Sequence, residues 1–493
     1  MNIDFDPYAI LGISPEADAE DIKSAYRRAA RRLHPDANPR NPGAAVQFQD
    51  ITAAHELLID ADRRSAFDRK FRQRQLDSSF TFRVTPSKRV LMPLAEPQVT
   101  YLLAEILPDP RAQSLEIQRE SRLNLTLVLD RSNSMNGTRL DKVKIAAHQV
   151  IDQLSDDDIF SVVAFNDHAE VIIPATVVND RAALKARISM MIAAGGTEIY
   201  KGLAAGVEQN RQFLAPRLVN HIVLLTDGNT YGDQERCLEL AKEAAKQGVS
   251  ISAMGLGQEW NDQFLDELAS TTGGTSSYIT SANSVVKFLN EHVRSLSNVF
   301  AERVQLSIAP DPDIRIESVF KLAPSPQPLP LDQGNIPLGS LQLNRVISVL
   351  IQLELPANLE VGFRSIARLV ASGDIFANGL QKYQALSDIS IEINNNPPPE
   401  DPPSAILDAL GKLTLYRMQE RAQEALEAGD IREATRRLET LATRLLELGE
   451  KELAQQALAE AQQVAYTAGL SDKGRKTLKY QTRHLLLGAQ GGE

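Results

Sequence analysis

Between residues 121 and 300 the chain alternates short apolar runs with amphipathic stretches, and that alternation limits the fold more than any other feature. LNLTLVLD, IFSVVAF, EVIIPA, VNHIVLLTD and VSISAMGLG read as strands, with a short one near 275–280. Helical patterns occupy 139–154, 182–193, 199–213, 234–247, 261–271 and 283–299. Such alternation builds an open, mostly parallel sheet with helices on both faces, a doubly wound α/β domain. Ligands of these sheets bind beyond the carboxyl ends of the strands. Asp130 and Asp227 stand there, each directly after an apolar strand, and Ser132, Ser134 and Thr197 add hydroxyls from the turns between them. Two carboxylates and three hydroxyls form a hard oxygen donor set, which suits Mg2+ or a similar ion such as Mn2+ or Ca2+. The one cysteine, Cys237, rules out a cysteine-rich zinc site and any intramolecular disulfide. On its predicted helix it reads as a small buried apolar residue.

The 493 residues leave room for about three or four domains. With 43% apolar and 24% charged residues, several cores can form and wholesale disorder is excluded. Strand-like segments at 80–120 and 301–393 flank the α/β unit, VISVLIQLEL and GFRSIARLVAS among them. They are too few for two sandwiches, so pooled they predict one antiparallel β-sandwich with residues 121–300 inserted. NNNPPPEDPPS at 394–404 reads as a stiff hinge, because consecutive prolines permit neither helix nor central strand. Residues 404–488 are rich in Ala, Leu, Glu and Arg, and Gly429, Gly449 and Gly469 fall where helix C-caps belong, predicting four helices packed as hairpins. Apolar runs fall short of the ~20 residues that cross a bilayer, and no basic-then-apolar leader precedes Tyr8. The expected location is cytoplasmic. Residues 1–76 are balanced in charge, so the net −11 falls on the remainder, which disfavours nucleic acid and anionic membrane surfaces.

Residues 1–71 are helical in pattern, followed by a polar linker, RQRQLDSS. Asp18 predicts an N-cap with Asp21 three residues on. Ile22, Ala25, Tyr26, Ala29, Ala30 and Leu33 then form one apolar stripe, with Lys23, Arg27 and Arg31 four apart on another face and Arg28 and Arg32 beside them. The helix must stop at His34-Pro35. A second stripe, Phe48, Ile51, His55 and Leu58, marks an antiparallel partner, which leaves HPDANPRNPG as the loop between two packed helices.

These residues, PYAILGISPEADAEDIKSAYRRAARRLHPDANP followed by FQDITAAHELLIDADRRSAFD, resemble the J-domain of Hsp40 (DnaJ-type) co-chaperones across 6–71. The resemblance implies docking onto an Hsp70 and stimulation of its ATP hydrolysis. It makes His34, Pro35 and Asp36 the essential tripeptide and Lys23, Arg27, Arg28 and Arg31 the electrostatic docking face. A carboxylate on a proline-fixed loop can hold an arginine bidentately, and a basic face steers approach to an acidic groove. Ala37 replaces the usual lysine, and His55 and Phe67 replace common tyrosines, as core substitutions. The chain has neither a Gly/Phe-rich stretch after this segment nor a CxxCxGxG repeat, so client binding is expected from the rest of the chain.

DRSNS, GGT and TDG resemble the metal-ion-dependent adhesion site of von Willebrand factor type A (VWA) domains, with Asn133 in place of the commoner glycine. By that resemblance Asp130, Ser132, Ser134, Thr197 and Asp227 hold the metal, directly or through water, and a partner's carboxylate completes the shell. The tail resembles the C-terminal helices of bacterial VWA proteins with this layout. No GxxxxGK[ST] loop, GxSxG elbow or HExxH helix is present, and His148, His168 and His221 lack ligand spacing. SDKGRKT at 471–477 lacks the upstream glycine and preceding strand of a phosphate loop. The expectation is a non-enzymatic adaptor that brings Hsp70 to a protein partner held by the VWA domain and tail. The alternative is a metal-dependent subunit of an AAA+ ATPase assembly, with a metal-assisted hydrolase a distant third.

Overall fold

The computed structural model describes residues 7–11, 13, 17–34, 42–76, 80–108, 122–215, 218–230, 232–329, 331, 334–376, 381–399 and 401–486. The N-terminal unit comprises α1 (Pro7–Leu11), α2 (Ala19–Leu33), α3 (Pro42–Leu58) and α4 (Ala61–Leu76). A capping box starts α2: Asp18 accepts from the backbone N–H groups of Glu20 and Asp21 at 2.8 and 2.9 Å, while Asp21 accepts from that of Asp18 at 3.3 Å. The helix ends where His34, before Pro35, takes an extended ψ of 136°. Ile22 and Ala25 are buried against Ile51, Ala54 and Leu58. The helical pattern expected to end at residue 71 runs on. Arg and Gln are good helix formers, and α4 continues through the first residues of the expected linker.

Two five-stranded sheets form the sandwich. One has the order β1 (Phe80–Pro86), β3 (Gln98–Pro108), β14 (Ile347–Leu355), β11 (Arg315–Ala323) and β12 (Gln327–Leu329). The other runs β13 (Ile336–Gln342), β10 (Val299–Pro310), β15 (Gly362–Ile375), β16 (Gln381–Ile393) and β2 (Val90–Leu91). All pairs are antiparallel except β2 with β16. Leu102, Ala104 and Ile106 alternate into a core shared with Ile351, Leu306 and Leu369, as the period-two pattern of a half-buried sheet requires.

The chain leaves the first sheet after β3 and re-enters through β10 in the second, so the α/β unit is inserted at the crossover between sheets. Its sheet has the order β6 (Ala169–Val177), β5 (Ile159–Phe165), β4 (Arg122–Asp130), β7 (Leu218–Thr226), β8 (Ser250–Leu256) and β9 (Ser276–Ile279). Among the described residues, only the β5–β6 pair is antiparallel. Apolar cores cover both faces, which explains why β5 and β7 are buried along their whole length. The helices are α5 (Thr138–Gln153), α6 (Arg181–Ser189), α7 (Ile199–Arg211), α8 (Gln234–Lys246), α9 (Asp262–Thr271) and α10 (Ala282–Leu296). The helix expected to reach residue 193 stops at Ser189, because the N–H of Ala194 bonds Arg131 C=O at 2.8 Å and draws that segment into a loop.

The tail is four helices: α11 (Ser404–Glu427), α12 (Ile431–Glu447), α13 (Lys451–Thr467) and α14 (Asp472–Leu486). Gly429 and Gly449 carry the left-handed backbone just past α11 and α12, with φ of 79° and 84°. The third expected cap falls one residue early, on Ala468 at φ 56°, whose N–H bonds Val464 C=O. The tail is also not a free appendage. Ile406, Leu413 and Tyr416 of α11 pack on Leu103, Phe320 and Leu350 of the first sandwich sheet, while α14 lies on the α/β unit.

The N-terminal unit is likewise docked, not tethered alone. Helix α1 packs on β15 and β16, and Arg368 of β15 reaches Asp50 of α3 at 2.8 Å. Among the described residues, no helix is long and apolar enough to cross a membrane.

Candidate functional site

The carboxyl ends of β4 and β7 bring together the side chains that the sequence singled out. Asp130 and Asp227 are both buried, at 0% and 1% exposure. Asp130 accepts from the Ser132 backbone N–H at 2.8 Å through one oxygen and from the Thr226 hydroxyl at 2.7 Å through the other. The Ser132 and Ser134 hydroxyls lie 2.9 Å apart, and Ser134 donates to Asp227 at 2.6 Å. Thr197 comes from the other side. Its loop is sewn to the β7 exit, since Ile199 N–H bonds Thr230 and Tyr200 N–H bonds Asp233 at 2.9 Å. A Cβ at Gly228 would stand 3.3 Å from the Thr197 hydroxyl, so glycine there admits the close approach. All five expected metal-site residues therefore share one end of the sheet.

Burial pushes the Asp130 carboxyl above its ordinary range, against the hydrogen bonds from Ser132 and Thr226; the nearby Asp227 carboxylate adds to the rise. Such paired, desolvated carboxylates call for a cation. Among the described residues no group of three or more His, Cys, Asp or Glu gathers into a metal-binding cluster, so any ion here depends on the hydroxyls as well. Hard oxygens from two carboxylates and three hydroxyls fit Mg2+ or a similar ion.

Sequence reasoning missed three neighbours. Thr226 fixes Asp130; Asp167 caps the GGT turn by accepting from Gly196 N–H at 3.0 Å; and Arg139, on the first turn of α5, pairs with Asp227. The TD pair at a strand end was the available sign for Thr226. Arg139 and Asp227 are 88 positions apart, and no local pattern links them.

The site opens into a cleft of about 1130 Å³ whose far wall is the tail: Leu426 and Glu427 of α11, Leu470, and Arg475 and Lys476 of α14. Lys476 donates to the backbone carbonyls of Gln258 and Trp260 on the loop after β8. SDKGRKT is thus a structural segment whose lysine grips a neighbouring loop.

At the N-terminal unit, Lys23, Arg27 and Arg31 of α2 are exposed, as expected of a docking face. Arg28 departs from the expectation. It is half-buried, donates to Ser24 at 2.9 Å, and lies against Gly362 at the start of β15. His34 is exposed at the end of α2, edge-on to Phe48 with ring centres 5.5 Å apart. Pro35, Asp36 and Ala37 lie outside the described residues. The substitutions at 55 and 67 are accommodated differently: His55, half-buried, stacks on Tyr26 with ring centres 4.3 Å apart, and Phe67 is buried.

Comparison with known proteins agrees with this architecture. Residues 6–68 match the DnaJ domain, residues 124–292 the von Willebrand factor type A domain, and residues 404–488 the Sll0103-like, C-terminal alpha-helical domain. The chain is thus a J-domain joined to a VWA protein. It belongs to the family of the uncharacterized protein sll0103 of Synechocystis sp., with which it is 32% identical over 342 residues, 67% of this chain and 80% of that one. The J-domain is 48% identical over 64 residues to the chaperone protein DnaJ of Roseobacter denitrificans, a match covering 13% of this chain and 17% of that relative. A von Willebrand factor type A structure from Catenulispora acidiphila shares the fold at a TM-score of 0.65, with 19% identity over 82% of this chain and 96% of its own.

Proposed function

We propose that this protein is a non-enzymatic Hsp70 co-chaperone and adaptor. The J-domain docks an Hsp70 and stimulates its ATPase, while the VWA domain and tail hold a protein partner or client. The observation that carries the reading is the state of α2: its apolar side is buried in the J-domain core, while Lys23, Arg27 and Arg31 face solvent and the helix ends at an exposed His34. Those three cations supply long-range attraction to an acidic groove; the HPD tripeptide, by family resemblance, supplies the specific contact. At the other site Asp130, Ser132, Ser134, Thr197 and Asp227 would hold Mg2+ or a related ion. A bound divalent ion there supplies a Lewis-acidic point that takes a carboxylate from the partner. Tethering both sites on one chain makes the second encounter effectively intramolecular, which is how an adaptor raises local concentration.

One crossed experiment tests both halves. His34→Gln should abolish stimulation of single-turnover ATP hydrolysis by the cognate Hsp70 and leave the metal-induced rise in melting temperature intact. Asp227→Ala should do the reverse. Stimulation that survives His34→Gln removes the co-chaperone reading, and a stable hexameric ATPase recovered with the native protein in place of Hsp70 favours the AAA+ assembly.

A further inference from the structure

Among the described residues, Asp227 is the one candidate metal ligand already paired with a cation of the protein. One carboxylate oxygen accepts from Ser134, and the other is held by the Arg139 guanidinium. The arrangement is lopsided: the Asp227 side chain is fully buried, whereas Arg139 is 42% exposed and also reaches the Ser134 carbonyl at 3.3 Å. Arg139 therefore reaches Asp227 from the solvent side, on the carboxylate oxygen that Ser134 does not hold. Its seat is Gly257, at φ 77°, where any Cβ would stand 3.5 Å from the guanidinium.

We infer that Arg139 is a tethered competitor for the divalent cation, so that loading of the site requires its displacement from Asp227. This deepens the metal reading above and rests on it. A guanidinium has no lone pair to give a metal and does not lose its charge in proteins. It can neither become a ligand nor yield by deprotonation. A divalent ion must bind its oxygens at about 2.0–2.6 Å, and a positive group on the same carboxylate repels it at short range. Leaving is easy for Arg139, because its side chain is half in water and long enough to swing off Gly257. Its presence offsets the repulsion of two buried carboxylates, so the site stays folded without an ion but binds one less tightly. The seat also links the site to the tail, since Gly257 begins the loop that Lys476 grips.

The test titrates the full chain with Mn2+, followed by electron paramagnetic resonance of free ion and by melting temperature, for wild type, Arg139→Gln and Arg139→Lys. Removing the competitor should tighten Mn2+ binding at least tenfold and enlarge the Mn2+-induced melting shift, while lowering the melting temperature in EDTA. Arg139→Lys, which keeps the charge on a shorter side chain, should tighten binding by a smaller factor and keeps the test open if Arg139→Gln folds poorly. Equal or weaker binding by both variants overturns the inference and leaves the metal reading standing. If no version binds Mn2+, the metal reading fails and this inference with it.

Discussion

The two helical units at the ends of the chain attach to the same β-sandwich and VWA body in opposite ways. The tail is clamped through buried charge. Asp266 takes a bidentate pair of bonds from Arg483 at 2.9 and 2.6 Å and another from Lys479 at 2.8 Å, while Asp262 takes Arg475 at 2.5 Å and Lys479 at 2.6 Å. The J-domain is held by α1 on the sheet and by the Asp50–Arg368 pair, whose side chains are each about one-quarter exposed. Burial strengthens each charge interaction but makes a lost partner far more costly. The clamp thus makes the tail a fixed wall of the VWA cleft, whereas the J-domain rests on a lighter, partly exposed contact.

The largest expected effect comes from breaking the clamp. Asp266→Ala strands the Arg483 charge in the interior and leaves Lys479 to Asp262 alone, at a cost of about 3–5 kcal/mol. The chain's single tryptophan, Trp260, reports it directly, because Lys476 lies 4.6 Å over its ring and Tyr480 packs at 5.8 Å. Fluorescence-monitored urea unfolding should show α14 leaving the VWA domain at lower denaturant than wild type. Asp266→Ala with Arg483→Met should regain much of the loss, since the charge and its counter-charge go together. A loss under 1 kcal/mol for the single substitution would show that the tail is not clamped.

Acid should act next, and on the body before the clamp. Buried His221 and half-buried His292 lie side by side with their Nε2 atoms 3.2 Å apart. Burial, aided by His292, holds His221 well below the usual histidine range, and burial brings His292 down to about 4. The unfolded chain therefore takes up protons that the folded one refuses, so this contribution is complete above about pH 6.5 and is lost as pH falls below it. For His292 alone the loss reaches about 2 kcal/mol at pH 5. The clamp carboxylates behave otherwise. Burial pushes Asp262 and Asp266 up, but Lys479 with Arg475 or Arg483 outweighs it and leaves both lowered, so their contribution persists above about pH 4 and fades only below. Urea midpoints at pH 7.5, 6 and 5 should fall accordingly, and His292→Phe should flatten the profile. A flat wild-type profile would mean that the pair is not held neutral.

What the sequence made legible was whatever local chemistry dictates. The Asp18 cap, the stripe of α2 and the two aspartates at strand ends rest on neighbours within a few residues, and the insertion followed from counting strands. Contacts between distant segments carried no such sign. Arg28 has the same basic face as Arg27 in the sequence, yet Gly362, far along the chain, decides that it is half-buried. The docking of the J-domain depends on Asp50 and Arg368, 318 positions apart. Gly469 was the natural cap by spacing, but the left-handed turn closes one residue earlier, on Ala468.

The smallest expected effect is at the J-domain contact. Asp50→Asn removes its charge from Arg368 without orphaning the arginine, which keeps Asp388 at 2.7 Å. Partly exposed pairs of this kind contribute about 0–1 kcal/mol, so the urea midpoint should barely move. Local opening is the sensitive measure. Amide exchange in α1, and in β15 and β16 where α1 lies, should quicken a few-fold, while exchange in α2 and α3 near Ile22 and Ala54 should not, because the J-domain core is untouched. Hsp70 stimulation should hold or rise, since freeing the J-domain also frees Arg28 from Gly362. A destabilisation as large as that of Asp266→Ala would erase the distinction between the two ends, and lost stimulation would mean that the sandwich holds the J-domain in its working pose.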